Sequence, residues 1–175
     1  MKVVVISGSP RKNANTQFAM KYVFEYTKTK DVEVKYINLS DGQVEYYKGP
    51  TEEYNEATKN ATKDIMDADV WLIGSPIYNS FFSSALKNLF EYVNYKKTEG
   101  KVAGMVIMAS GNIGFIDVQT MITQLLSYFR VITNPKAVFL TVDSISDNVL
   151  SDESAKERVR DMVDGTLKMA SKLRG

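Results

Sequence analysis

The segment KVVVISGSPRKNANT, from Lys2 to Thr16, carries the strongest indication of the fold. Its first part is a run of β-branched apolar residues, and such a run predicts a strand that is buried on both faces, as in a parallel sheet. Its second part brings glycine, proline, hydroxyl and amide residues directly before a helical pattern. A buried strand that leads through such a loop into a helix is typical of parallel α/β proteins, in which ligands bind beyond the carboxyl ends of the strands.

The same alternation of apolar runs and helical patterns continues along the chain. Apolar residues between the runs recur at steps of three and four, which predicts five helices; in the first helix the apolar stripe is Phe18, Tyr22, Val23 and Tyr26. Because short crossovers between parallel strands are right-handed, we expect a doubly wound sheet with helices on both faces, in a single domain over residues 1–175. The predicted strands are Lys2–Ser7, Val32–Leu39, Val70–Ser75, Val102–Ala109 and Ala137–Val142.

Composition excludes several kinds of chemistry. The chain contains no Cys and no His, which excludes disulfides, iron–sulfur ligation, thiol nucleophiles and the commonest general base. Chemistry must therefore come from carboxylates, Lys, Tyr, hydroxyls, backbone dipoles or a bound cofactor, and we expect no metal site. The net charge of +1 argues against a nucleic-acid partner. The apolar runs are too short for a signal peptide or a membrane span, which favours a cytoplasmic protein with no membrane partner.

The loop after the first strand is a candidate phosphate site. It offers the hydroxyls of Ser9 and Thr16, the amide of Asn15 and the cation of Arg11, next to a helix N-terminus whose free N–H groups favour anions. The loop matches neither G-x-G-x-x-G nor G-x-x-x-x-G-K-[ST], which argues against a dinucleotide-binding Rossmann fold and a P-loop NTPase. A plain turn with an Asn or Thr helix cap is the alternative interpretation.

Two further loops are expected at the same edge of the sheet. After the third strand comes GSPIYNSFFS, which ends at Ser83, a predicted helix cap. Its aromatic and amide residues suit a flat ring with a polar edge, although Phe81 and Phe82 fit core or oligomer contacts equally well. After the fourth strand comes SGNIGF, before a helix expected to begin near Asp117. Its glycines allow the backbone to approach a ligand closely.

Together these loops resemble those of the NAD(P)H-dependent FMN reductase family. The segment from Gly8 to Thr16 resembles the family's phosphate loop, and GSPIYN followed by ALKN resembles its flavin-ring loop and the helix behind it. The resemblance implies an α/β, flavodoxin-like fold, a doubly wound five-stranded parallel sheet in the order 2-1-3-4-5. It also implies FMN as cofactor and NADPH or NADH as co-substrate.

The resemblance assigns cofactor-binding roles to residues of all three loops. The phosphate would be held by the first loop, the isoalloxazine ring lined by the second, and the pyrimidine side of the ring flanked by the third. The residues concerned are Ser9, Arg11, Asn13, Asn15 and Thr16; Pro76, Ile77, Tyr78 and Asn79; and Ser110, Gly111, Asn112 and Gly114.

The same resemblance implies a mechanism that needs no catalytic side chain. A hydride would pass directly from the nicotinamide to flavin N5, because a cofactor carries the redox step and the protein supplies binding and orientation. A second acceptor would then take the electrons in a ping-pong scheme: a flavin, a quinone, an azo compound or a metal ion. The alternative is a flavodoxin-type electron carrier that binds FMN without nicotinamide turnover, whose acidic surface this chain lacks.

Some features depart from the family pattern. Ile77 stands where many members carry Glu, and Gly114 is followed by Phe115 where paired glycines are common. The related iron–sulfur flavoproteins carry cysteines after the second strand, and the thiol-free segment 42–50 excludes a cluster here. Family members pair through aromatic loops, so we expect a homodimer or homotetramer. Candidate contacts are Tyr46, Tyr47, Phe81, Phe82 and Phe115.

Overall fold

The structure is a computed structural model that describes residues 1–174, with strands and helices in alternation. The strands are β1 Lys2–Ser7, β2 Glu33–Asn38, β3 Val70–Pro76, β4 Val102–Ala109, β5 Ile132–Thr133, β6 Val138–Thr141, β7 Ile145–Ser146 and β8 Val149–Leu150. The helices are α1 Asn15–Lys28, α2 Glu56–Asp67, α3 Ser84–Glu91, α4 Phe115–Tyr128 and α5 Glu153–Arg174.

The main sheet is parallel and has the order β2-β1-β3-β4-β5, with β6 also paired to β4. The predicted order is therefore confirmed. β3 and β4 are buried along their whole length, because helices cover both faces of the sheet. One core cluster unites apolar residues of α2, α3 and α4 with one face of the sheet, and the other unites α1 and α5 with the opposite face.

At the edge of the sheet beside β4, the prediction was one strand over Ala137–Val142, whereas the structure has two short strands, β5 and β6. β5 pairs with the start of β4 and β6 with its end. Between them Asn134 is buried, and its side-chain amide donates to the carbonyl of Met162 at 3.2 Å and to the hydroxyl of Thr166 at 3.0 Å. Pro135 follows and has no N–H for a sheet ladder, which explains why the strand divides here.

The hairpin β7–β8 has no counterpart in the sequence prediction. Its turn residues Asp147 and Asn148 have φ angles of 50° and 62°, the left-handed pair that a two-residue hairpin turn needs. Leu150 of β8 is buried, whereas Val149 is exposed. The hairpin lies beside α1.

The orientation of α1 also differs from the prediction. Its buried apolar residues are Ala19, Met20 and Val23, whereas Phe18 and Tyr22 of the predicted stripe are only partly buried. Met20 is one of the largest fully buried side chains and fills the space over β3, where a side chain at Gly74 would collide with it. The larger aromatic side chains lie toward the flank of the helix.

Helix starts follow local capping chemistry. Ser83 caps α3, as predicted, by accepting the Leu86 N–H at 3.0 Å. α4 begins at Phe115 rather than near Asp117, because Gly114 in the left-handed region (φ 85°) starts it without a side-chain cap. Within residues 1–174 we find no helix whose length and hydropathy would allow it to span a membrane.

Candidate functional site

The loops that follow β1 and β3 are in direct contact at the point where the strand order reverses. The Gly8 N–H donates to the Gly74 carbonyl at 2.9 Å, and the Ser83 hydroxyl donates to the Gly8 carbonyl. A Cβ at Gly8 would lie 2.5 Å from the Gly74 oxygen, so this approach requires glycine. In doubly wound sheets such a switch point is where ligands bind.

The first turn of α1 is open to an anion. The residue that starts the helix is Ala14, whose side chain makes no cap hydrogen bond. The Gln17 N–H donates to the Ala14 carbonyl at 2.8 Å, whereas the N–H groups of Asn15 and Thr16 have no partner within the helix, as is usual for a first turn. Arg11 lies beside it and, within residues 1–174, its guanidinium makes no hydrogen bond or ion pair. A helix N-terminus with a free cation beside it favours a phosphate group.

Ser9 connects the first loop to the second. Its side chain is fully buried, and its hydroxyl shares a 3.0 Å hydrogen bond with the Tyr78 hydroxyl. The backbone N–H of Arg11 donates to the same Ser9 oxygen at 3.3 Å. Tyr78 therefore joins the phosphate loop to the loop that follows β3.

A tight turn holds Tyr78 in position. Tyr78 and Phe81 exchange backbone hydrogen bonds of 2.9 and 3.0 Å, and the turn residues Asn79 and Ser80 have φ angles of 50° and 61°. Before the turn, the Ile77 N–H donates to the Met108 carbonyl at 2.9 Å. The loop thus begins as an extension of the β3–β4 ladder, which fixes Ile77 and Tyr78 over the end of the sheet.

The three loops enclose a cleft of about 300 Å³. Its lining includes one cation and no carboxylate, which favours an anionic ligand. The lining residues are Arg11, Asn13, Ala14, Asn15, Thr16, Pro76, Ile77, Tyr78, Met108, Ala109, Ser110 and Val142.

Most of the predicted site residues meet in this cleft. Ser9 lies just behind it through its bond to Tyr78. Besides Ser9, four predicted residues are not part of its lining: Asn79 at the tip of the turn, Gly111 and Asn112 exposed on the third loop, and Gly114. Gly114 nevertheless borders the site, because a Cβ added there would lie 3.6 Å from the side chain of Ile77.

Sequence reasoning missed four lining residues. Met108 and Ala109 end β4, and their position at the carboxyl end of a predicted strand was the signal that would have identified them. Ala14 has no polar group, and it contributes by leaving the helix start uncapped. Val142 follows β6, and the sequence offers no sign that this strand end reaches the cleft.

Comparison with known proteins agrees with this geometry. The model of the NADPH-dependent FMN reductase family matches residues 1–144. An NAD(P)H-dependent FAD/FMN reductase of Geobacillus thermodenitrificans is 30% identical over 131 residues, which span 74% of this chain and 71% of that protein. An FMN-dependent NADPH-azoreductase of Staphylococcus aureus is 30% identical over 138 residues, which span 75% and 69%.

A solved structure of an NADH:FMN oxidoreductase in its apo form superposes with a TM-score of 0.81 at 18% identity, covering 98% of this chain and 89% of that one. The strand order, the paired loops and the cleft define a flavodoxin-like protein with its ligand cleft at the switch point. The chain belongs to the NADPH-dependent FMN reductase family. Membership of this family confirms the predicted oxidoreductase class and the predicted use of FMN with NADPH or NADH.

Proposed function

We propose that the chain works as a single flavodoxin-like domain that transfers electrons from NADPH or NADH, through FMN, to a small-molecule acceptor in the cytoplasm, where reduced nicotinamides are supplied. The observation that carries the proposal is the uncapped start of α1 beside Arg11, whose guanidinium has no partner in the described part of the chain. Both lie at one end of a cleft whose other wall is the Pro76–Tyr78 loop. An anion site and a ring-sized wall in one cleft match the two ends of a flavin mononucleotide.

The first loop supplies the donors for the phosphate. Arg11 contributes charge, Asn15 and Thr16 contribute N–H groups and side-chain donors, and Ser9 contributes a hydroxyl from beneath. Asn13, with a φ of 54°, turns the chain into the helix. Hydrogen bonds from charged donors are about twice as strong as neutral ones, so Arg11 should contribute most to affinity.

The second and third loops position the ring. Pro76, Ile77 and Tyr78 form the wall over the end of the sheet, with Ser110 opposite. Asn79, Gly111, Asn112 and Gly114 remain proposed contacts at the rim, and the uncapped start of α4 behind Gly114 would favour negative charge on the pyrimidine side. FMN held by these residues would supply the redox chemistry, which would be a hydride transfer from the nicotinamide followed by reduction of a flavin, quinone, azo compound or metal ion in a ping-pong scheme.

Anaerobic mixing of the FMN-loaded protein with NADPH or NADH tests this proposal. We expect the flavin absorbance band to bleach in a single two-electron phase, and to return when a quinone or azo acceptor is added. Absence of bleaching with both nicotinamides, in a protein that binds FMN, would instead favour the electron-carrier alternative.

Replacement of Tyr78 by Phe tests how the two loops are joined. Removing the hydroxyl breaks the hydrogen bond that positions Ser9 in the phosphate loop, and it leaves the aromatic ring in the wall of the cleft. We therefore expect the Kd for FMN to rise about three- to tenfold, the range for one neutral hydrogen bond. Fluorescence titration of FMN measures it. Tyr128→Phe, at an exposed position of α4, is the control. An unchanged Kd in Tyr78→Phe would show that the bond does not organise the phosphate site.

We also propose a homodimer, with a homotetramer as the larger alternative. Phe81, Ile113 and Ile116 are exposed next to the cleft loops, as is Tyr46 on the loop after β2, and exposed apolar residues favour association. Phe82 and Phe115 are buried within the single chain, so the proposed contact between subunits does not include them. Light scattering should give at least twice the 19.7 kDa of one chain; the monomer mass at micromolar concentration would contradict this.

A further inference from the structure

A second cavity, of about 480 Å³, lies between α1 and the β7–β8 hairpin. We call it the α1 groove. One side of it is formed by Phe18 and Tyr22, which lie on the flank of α1 beside its buried residues Ala19, Met20 and Val23. Its lining residues are Asn13, Gln17, Phe18, Lys21, Tyr22, Glu25, Asn148, Val149 and Leu150.

The α1 groove adjoins the flavin cleft. Asn13 lines both cavities, and its backbone N–H donates to the side chain of Gln17 in the groove at 3.2 Å. The two cavities therefore meet at Asn13, at the start of α1. The groove begins where the phosphate loop ends.

The walls of the groove suit a flat apolar ring. Phe18 and Tyr22 contribute aromatic side chains from α1, and Val149 and Leu150 contribute aliphatic ones from β8. The Tyr22 hydroxyl accepts a hydrogen bond from Arg160 of α5 at 2.8 Å, which fixes that ring. Aromatic and aliphatic walls with a few polar groups at the edge are typical of sites for nucleotide bases.

The edge of the groove carries one available cation. Within residues 1–174 the ammonium of Lys21 makes no hydrogen bond or ion pair, although it lines the groove. The neighbouring carboxylate of Glu25 is already paired with Lys28 at 3.0 Å. A free ammonium beside an apolar slot favours an anionic substituent on the ligand.

We propose that the α1 groove binds the adenosine half of the nicotinamide co-substrate, and that Lys21 binds its 2′-phosphate. This rests on the proposed function, since it places the second end of a ligand whose nicotinamide end would enter the cleft. Lys21 is then a specificity-determining residue that favours NADPH over NADH. It lies outside the flavin cleft, so its replacement should leave FMN binding unchanged.

Calorimetric titration of adenosine 2′,5′-bisphosphate and of 5′-AMP into the FMN-supplemented protein tests the site directly. We expect the bisphosphate to bind about tenfold more tightly, the scale of one charge-assisted hydrogen bond, and Lys21→Gln to abolish that difference. In turnover, Lys21→Gln should raise KM for NADPH about tenfold while KM for NADH, kcat and the Kd for FMN stay constant. Lys168→Gln, exposed on α5, is the matched control.

A second variant tests the groove independently of Lys21. Val149→Glu places a carboxylate at the exposed tip of the hairpin, and we expect it to weaken both adenosine nucleotides. If neither nucleotide binds while NADPH still reduces the flavin, the groove assignment is wrong and the proposed function stands. If both bind to the groove but no nicotinamide reduces the flavin, the proposed function is wrong. If Lys21→Gln still binds adenosine 2′,5′-bisphosphate about tenfold more tightly than 5′-AMP, the proposed role of Lys21 is wrong.

Discussion

Replacement of Arg11 by Ala is expected to raise the Kd for FMN about 10- to 100-fold, the equivalent of 1.5–3 kcal/mol for a charged hydrogen-bond donor. The guanidinium has no other partner within residues 1–174, so its removal leaves no protein group unpaired and the loss reports on the ligand alone. Titration of FMN by fluorescence quenching measures the change.

Two comparisons make the Arg11 result specific. Riboflavin lacks the phosphate, so its affinity should be the same in Arg11→Ala and in the unmodified protein. Lys12→Ala removes a neighbouring cation that does not line the cleft, and it should change the Kd for FMN little, because exposed charges are screened. Equal losses for FMN and riboflavin would place Arg11 away from the phosphate.

Replacement of Gly8 by Ala is expected to lower the free energy of unfolding by about 1–3 kcal/mol, the range for overpacking a buried site. The new Cβ would lie 2.5 Å from the Gly74 carbonyl oxygen, a backbone atom that cannot rotate away. The loops after β1 and β3 must separate, and the Gly8 to Gly74 hydrogen bond lengthens. FMN affinity should fall with it, because the phosphate loop follows directly. Urea denaturation and FMN titration measure the two effects.

Gly111→Ala is the matched control for Gly8→Ala. It makes the same chemical change on the third loop, where an added Cβ meets nothing within 4 Å. We expect a change in unfolding free energy within about 0.5 kcal/mol, as for ordinary surface substitutions. An unchanged free energy of unfolding in Gly8→Ala, or an equal decrease of that free energy in both variants, would contradict the close approach of the two loops.

Strands β1, β3 and β4 were predictable because each is a nearly continuous apolar run, whereas β2 alternates polar and apolar residues. The predicted bounds of β1 and β4 are those observed, β3 is one residue longer than predicted, and β2 is one residue shorter at each end. In a strand that is buried on both faces nearly every residue is apolar, so the strand is visible in the sequence. The strand order came from the family resemblance rather than from periodicity, since apolar runs alone do not say which strands are neighbours.

The edge of the sheet was less predictable because its structure depends on tertiary partners. The division between β5 and β6 depends on the hydrogen bonds of Asn134 to α5, which no local pattern reveals. The rotation of α1 depends on the space that Met20 fills above Gly74. The Asp147–Asn148 pair was a local hairpin signal that sequence reasoning did not use.

The candidate site was largely predictable for a topological reason. Parallel strands end at the same edge, so the polar loops after β1, β3 and β4 had to meet, and Arg11, Tyr78 and Ser110 do line one cleft. The bond between Ser9 and Tyr78 was not predictable, because it depends on the turn after Tyr78. The α1 groove was not predictable either, because it depends on how α1 is rotated against the sheet.

Calorimetric comparison of FMN with riboflavin on the unmodified protein tests directly whether the cleft holds a phosphate group. Several donors at the start of α1, together with Arg11, should bind the phosphate, so we expect one FMN per chain and an affinity at least about 100-fold higher than that of riboflavin. Equal affinities for the two flavins, or no binding of FMN, would contradict a phosphate site at this loop.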